Sequence, residues 1–294
     1  MLVNMNGKLV SKEKATLSVF DHGVLYGDGV FEGVRAYNGR VFRLEEHVAR
    51  LYDSAKAILL TPPISAKAMA QEILRTLAAN KLFDGYIRPV ITRGVGDLGL
   101  NPANCPKASY FIITDKIKLY PDEFYKKGLP LVTVPTRRNV AEALSPKIKS
   151  LNYLNNILAK IEANQRGALE AIMLTQDGYV AECTADNLFI LRKGRLLTPP
   201  TWQGALEGVT RAAVLELAAK AKIKAMEEPM TRYDVYTADE AFMTGTAAEI
   251  VPVISLDARP IGTGKPGPVT LKLIAAFKAL VKREGARIPK VTHG

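Results

Sequence analysis

Cysteine is nearly missing from this chain: only Cys105 and Cys183 stand among 294 residues, too few for a disulfide scaffold, and both are read as reduced thiols. No apolar run approaches the length needed to cross a bilayer. The opening Met1-Leu2-Val3-Asn4-Met5-Asn6-Gly7-Lys8 lacks the charged-then-apolar layout of a signal peptide. A cytoplasmic location without a membrane partner is the expectation. There are no internal repeats and no low-complexity tract. Nor is there a dense basic run interleaved with aromatics, so the net charge of +11 is not read as a nucleic-acid footprint. No metal site is expected.

What is present is the balance of a globular protein, 48% hydrophobic and 23% charged, long enough to bury a substantial core. Asn6-Gly7 and Asn38-Gly39, each between apolar segments, are hairpin signals. The spacing Leu44, Val48, Leu51, Ala55, Ile58 predicts an amphipathic helix, and a second is predicted from about Ala66 to Leu82. Strands are expected near Gly85 to Arg93 and Ala108 to Thr114, then near Leu129 to Thr136, Ala171 to Leu174 and Asn187 to Leu191. Asn152 is expected to cap a buried helix whose apolar residues are Leu151, Leu154, Ile157, Leu158 and Ile161; further helices are expected from Val209 to about Ala221 and from about Pro268 to Glu284. The polar stretch with Pro121 and Gly128 reads as a linker. The expectation is therefore an α/β chain in two domains, 1–115 and 129–294, joined by 116–128.

Two segments carry chemistry. Lys149 lies in Ser145-Pro146-Lys147-Ile148-Lys149-Ser150-Leu151-Asn152-Tyr153, and Glu182 follows in Val180-Ala181-Glu182-Cys183-Thr184-Ala185-Asp186-Asn187. An amine and a carboxylate are what a protein supplies to pyridoxal phosphate, the first as Schiff-base partner, the second to keep the ring nitrogen protonated. Standing alone, Lys147 and Lys149 read equally well as solvated loop lysines, and alternation along an extended segment cannot choose between them. Gly208-Val209-Thr210 opens a predicted helix whose first N–H groups and dipole suit a phosphate, although a glycine before a helix is also a common turn. Arg50, on the edge of its helix stripe, can equally be a rim arginine paired with Glu45, Glu46 or Asp53.

The segment Ile148-Lys149-Ser150-Leu151-Asn152-Tyr153 resembles the cofactor-lysine motif of fold type IV pyridoxal phosphate enzymes, the class IV aminotransferases, closest to branched-chain amino acid aminotransferases. The resemblance extends to Tyr26-Gly27-Asp28-Gly29-Val30-Phe31-Glu32-Gly33-Val34-Arg35, Glu46-His47-Val48-Ala49-Arg50-Leu51, Tyr86-Ile87-Arg88-Pro89, Leu206-Glu207-Gly208-Val209-Thr210-Arg211 and Gly245-Thr246-Ala247-Ala248-Glu249-Ile250. It implies pyridoxal 5'-phosphate bound between two domains, with Lys149 rather than Lys147 as the Schiff-base lysine and Glu182 at the ring nitrogen. Arg50, Tyr153, Leu206, Gly208, Val209, Thr210, Gly245 and Thr246 are implied as further cofactor contacts. Glu207 departs from the proline frequent in the family, and must point away from a bound anion.

The same resemblance implies a substrate pocket of Tyr26, Phe31, Gly33, Arg35, Tyr86 and Arg88, with the Thr246-Ala247 backbone receiving the α-carboxylate. The implied reaction is transamination of L-leucine, L-isoleucine and L-valine with 2-oxoglutarate. Lys149-Ser150-Leu151-Asn152 also occurs in D-amino acid transaminases, whereas many branched-chain enzymes carry glycines after the lysine. The alternatives are accordingly a D-amino acid or (R)-amine transaminase, then an aminodeoxychorismate lyase, and last a non-catalytic basic binding protein. The resemblance implies a homodimer or an assembly of dimers, in which Tyr26 and Arg35 complete the partner's site.

Overall fold

The computed structural model describes residues 1–117 and 119–290. Residue 118, inside the expected linker, and 291–294, at the end of the expected second domain, lie outside the described residues. The chain forms two compact units. The first comprises Met1–Ile117 together with Ile148–Asn152 and Val281–Gly294, and the second Lys118–Lys147 with Tyr153–Leu280.

The first unit is built on an eight-stranded sheet among the described residues, and every pairing in it is antiparallel. Both Asn-Gly signals are hairpin turns. Asn6 and Gly7 take φ of 50° and 85° between strands Leu2–Met5 and Lys8–Ser11, and Asn38 and Gly39 take 48° and 80° between Val34–Tyr37 and Arg40–Val41. Positive φ at both central positions matches the right-handed twist of the flanking strands. Strand Gly85–Thr92 runs through the middle, and Pro89 sits in it where its neighbour changes. Val34 pairs with Ile87 on one side of that break and Phe31 with Val90 on the other. Proline removes a ladder donor, and it is tolerated here because the ladder is interrupted at Glu32 and Gly33.

Helices Leu44–Ala57 and Ala66–Ala79 cover this sheet. Leu44, Val48, Leu51 and Ala55 of the first, and Met69, Ile73 and Leu77 of the second, pack with Val30, Val34, Ile87 and Ile91 into one core. Ser65 starts the second helix by accepting a bond from the Ala68 N–H.

The second unit holds a nine-stranded sheet among its described residues. Its strands are mostly antiparallel, but Leu129–Thr133 runs parallel to both Ala171–Leu174 and Glu249–Leu256, and Arg195–Thr198 runs parallel to Ala225–Glu227. Its core gathers Leu131, Ile172, Leu188, Met243 and Val251, and Phe189 and Phe242, opposite each other in register, stack at 5.0 Å. Helix Val209–Lys220 buries Ala213, Val214, Leu217 and Ala218.

Four expectations are corrected here. Asn152 does not cap the following helix: Tyr153 is the cap residue, the helix is Leu154–Gln165, and the Asn152 amide donates instead to the Gly27 carbonyl. Nor is that helix buried along its large apolar residues, since Ala159 and Ala163 face the core while Leu154, Ile157, Leu158 and Ile161 are exposed. The segment carrying Lys149 belongs with the first unit rather than with residues 129–294, because Ser150 bridges Val30 as a short antiparallel strand. The polar stretch read as a linker contains a short helix, Asp122–Lys127.

Candidate active site

In the first unit, the Lys149 backbone is fixed at both ends of its peptide. Its carbonyl accepts from the Phe31 N–H at 3.0 Å, and its N–H donates to Ser54 Oγ at 3.1 Å. The Leu151 N–H then bonds the Gly29 carbonyl, so the segment is held as an added strand and the lysine side chain has one direction to take. Its Nζ lies over the Phe31 ring, 4.6 Å from the centroid. Lys147 is different in kind: it is exposed and pairs with Glu207 at 3.1 Å. That pairing also turns the Glu207 carboxylate toward a surface lysine.

Phe31 is shared. The Arg88 guanidinium also stands 4.6 Å from its centroid and donates to the Tyr86 hydroxyl at 2.7 Å. Tyr86 and Arg88, two apart on one strand, therefore present a single surface with Phe31. Gly33 fits beneath it because there is no room for more: a Cβ there would lie 2.1 Å from the Tyr86 oxygen. Two buried guanidinium nitrogens, Nε of Arg35 and Nε of Arg88, have no hydrogen-bond partner. Arg35 otherwise faces Asp84 at 3.5 Å and the Tyr37 ring. Tyr26 is engaged elsewhere, its hydroxyl donating to the Leu98 carbonyl.

Arg50 reaches across to the break between strands Gly29–Phe31 and Val34–Tyr37, where its Nε and Nη2 donate to Glu32 at 2.6 and 3.0 Å. Glu32 also lies 2.8 Å from His47 Nδ1 and accepts from the Gly33 N–H. Burial alone would raise the Glu32 carboxyl, but the charge of Arg50 and the hydrogen bonds from Arg50 and His47 outweigh it and hold the group well below the usual range. Burial pushes His47 down, against the pull of Glu32. Sequence reasoning missed this triad, since Glu32 is a lone acid in an apolar strand until the fold brings the helix residues to it.

In the second unit, Glu182 is buried in strand Val180–Cys183 and is fully engaged. Oε1 accepts from Arg138 Nη2 at 2.8 Å, and Oε2 accepts from Asn187 Nδ2 at 3.2 Å and the Leu206 N–H at 2.9 Å. Arg138 is itself fixed by the Gly204 carbonyl and by Asn156 Oδ1. A guanidinium and two amide donors keep a buried carboxylate charged. Arg138, Asn156 and Asn187 carry no signal in the sequence that distinguishes them from loop residues.

Asn187 also ties this carboxylate to the expected phosphate loop by donating to the Leu206 carbonyl at 3.0 Å. It packs so closely on Gly208 that a Cβ there would meet its side-chain oxygen at 2.0 Å. Gly208 caps helix Val209–Lys220 without any side-chain cap bond, and Thr210 is buried in its first turn. Gly245 ends a strand, and Thr246 and Ala247 form the turn that follows. Thr244, opposite Asn187 in register, has a buried hydroxyl with no partner. Tyr153 is half-buried at the start of its helix.

Among the described residues no group of three or more His, Cys, Asp and Glu side chains is placed to hold a metal, and no helix is long and apolar enough to cross a membrane. Both cysteines are free.

Comparison with known proteins identifies the family. The family described as "Amino-transferase class IV" matches residues 29–256, and the chain belongs to it. A Methanocaldococcus jannaschii protein provisionally named a branched-chain-amino-acid aminotransferase is 49% identical over 288 residues, covering 98% of this chain and 99% of the relative. The crystal structure of the Escherichia coli branched-chain amino acid aminotransferase superposes with a TM-score of 0.93 at 35% identity, over 95% of this chain and 94% of that one. A third branched-chain amino acid aminotransferase, solved as its complex with N-(5'-phosphopyridoxyl)-L-glutamate, superposes with a TM-score of 0.90 at 38% identity, over 95% and 93%. The two-sheet α/β fold is thus fold type IV.

Proposed function

We propose that this chain moves the amino group of a branched-chain L-amino acid to 2-oxoglutarate, giving a branched 2-oxo acid and L-glutamate, with pyridoxal 5'-phosphate as carrier. The residues present fit that group. A buried, charged carboxylate is prepared at Glu182, the N–H groups of Val209 and Thr210 open a helix with no side-chain cap, and the Thr244 hydroxyl is an orphaned polar atom on the Asn187 face.

When bound, the cofactor supplies an aldehyde that takes up the amino group and a ring that stabilises negative charge at the substrate α-carbon. Lys149 Nζ would hold that aldehyde carbon at rest and, as a free amine, would move the proton between the substrate α-carbon and the former aldehyde carbon. Glu182, paired with Arg138, would hold a proton on the ring nitrogen. The Val209 and Thr210 N–H groups, the Thr210 and Thr246 hydroxyls and Arg50 would hold the phosphate. Leu206, Gly208, Gly245 and Tyr153 line the cofactor.

The observation that carries the substrate reading is the wall beside Lys149. Phe31 offers an apolar face for a branched side chain, and the buried Nε groups of Arg88 and Arg35 offer donors for the γ-carboxylate of glutamate. The L-glutamate adduct held by the relative of 38% identity supports that assignment. Gly33 and Tyr86 complete this wall, Tyr26 serves the site of a partner copy, and the Thr246-Ala247 turn takes the α-carboxylate. The exposed stripe Leu154, Ile157, Leu158, Ile161 supports assembly into a homodimer or a set of dimers. Two free cysteines and the absence of a membrane-length helix among the described residues support a cytoplasmic setting.

The test is the spectrum of the purified protein with pyridoxal phosphate, recorded on adding L-leucine and then 2-oxoglutarate. The bound-cofactor band should disappear and return. Turnover of D-alanine with none of L-leucine, L-isoleucine or L-valine would overturn the reading.

A further inference from the structure

A second cleft, of about 790 Å³, opens in the second unit, a volume that suits a small molecule. Its lining includes four arginines, Arg137, Arg166, Arg232 and Arg259, but a single carboxylate, Asp257. Lys149, Glu182, Thr210 and Thr246 are not part of it.

The carboxylate is turned to internal use. Asp257 accepts from the Thr133 N–H at 2.6 Å, the Thr133 hydroxyl at 2.7 Å and the Tyr236 hydroxyl at 2.7 Å. Burial would raise its carboxyl, but those bonds hold it below the ordinary range. Its hydrogen-bonding capacity is largely taken by these neighbours, although it lines the cleft and the Arg232 charge also acts on it.

The arginines are in the opposite condition. None of the four makes an ion pair within 4.0 Å among the described residues. Two are nonetheless oriented. Arg166 Nη1 donates to the Thr133 carbonyl at 2.8 Å, and the Arg259 guanidinium stacks 4.6 Å from the Tyr236 ring centroid. All four are exposed, and four like charges around one concavity give it a positive potential that favours an anion. Guanidinium forks match phosphate oxygens in pairs, which a single carboxylate cannot satisfy four times over. Tyr233 is 64% exposed, with the Arg192 guanidinium 5.4 Å from its ring centroid.

We propose that this cleft binds a small molecule bearing a chain of phosphates, as a site separate from the transamination chemistry. The inference rests on the arginine cleft alone and stands whether or not the substrate reading above holds.

The test is calorimetric titration of the pyridoxal-phosphate-loaded protein, its cofactor phosphate cradle already filled, with inorganic triphosphate and separately with ATP. At least one should bind saturably, more weakly as salt rises. Arg166→Gln combined with Arg259→Gln should weaken binding by about tenfold or more, while Arg195→Gln, a surface arginine paired with Glu228, should leave it unchanged. Equal affinity for the two probes would assign recognition to the phosphates alone. Tighter ATP binding lost in Tyr233→Ala would assign a nucleoside contact as well. The double variant must keep its transamination rate without probe; if it does not fold, exposed Arg232→Gln replaces it. No saturable binding of either probe, or binding indifferent to the arginine variants, overturns the proposal.

Discussion

Arg138 donates from Nη2 to Glu182 Oε1 at 2.8 Å, and the two side chains are 6% and 5% exposed. A buried pair of this kind does little for stability in itself, but removing one partner strands the other in a medium that cannot solvate it.

Arg138→Met should therefore cost about 3–5 kcal/mol of unfolding free energy, read by urea denaturation of the protein with and without cofactor. A loss under about 1 kcal/mol would mean that water or another cation reaches Glu182.

Lys149→Ala should abolish transamination and borohydride-stable labelling, whereas Lys147→Ala should leave both unchanged. Lys147 makes only an exposed ion pair with Glu207, an interaction worth roughly 0–1 kcal/mol. Peptide mapping after reduction checks the assignment, and a label on residue 147 would refute it.

Gly33→Ala should push Tyr86 aside, because the new methyl would sit 2.1 Å from its oxygen. Tyr86 orients Arg88, so the damage should fall on substrate binding. With overpacking costs of about 1–3 kcal/mol, kcat/KM for L-glutamate should fall about tenfold or more. A change confined to thermal stability would separate the wall from the substrate.

Asp186 is buried beside Tyr120 and Glu170, and burial, then the Glu170 charge, push its carboxyl up to about 7. The folded state thus binds a proton that the unfolded chain has released above about pH 4. Stability should be fully present below that pH and decline as pH rises toward 7. Asp186→Asn, which can still accept from Tyr120, should flatten this decline and stabilise the protein at pH 8. Denaturation midpoints from pH 5 to 8 give the answer, and parallel profiles for the two proteins would disprove the assignment.

Ile157→Glu with Ile161→Glu places charge in the exposed helix stripe. Light scattering should show a smaller species than the parent, since the charges would have to be desolvated at an interface. An unchanged mass would direct attention to another surface.

Local features are legible in the amino-acid sequence itself. The Asn-Gly turns, the stripe from Leu44 to Ala55 and the strand at Ala171–Leu174 each follow from interactions within a few residues. The apolar stripe of the Leu154–Gln165 helix is legible as periodicity, but a pattern states which residues share a face and not what that face meets. Asn152 has a cap's chemistry and is diverted by a carbonyl 125 positions earlier, at Gly27. Lys149 and Glu182 can be singled out by type and by resemblance. The partners that hold them, Ser54 and Phe31 for the one and Arg138 and Asn187 for the other, arise from long-range pairing that no local rule encodes.

The short strand Ala286–Arg287 pairs with Arg40–Val41, and Ile288 enters the core formed by residues 30–112. On the ribosome, then, the earliest-made sheet waits with one border incomplete until residue 287 has been added. Premature stops beyond residue 280 would remove none of the proposed catalytic groups, yet they would leave that border open to other chains.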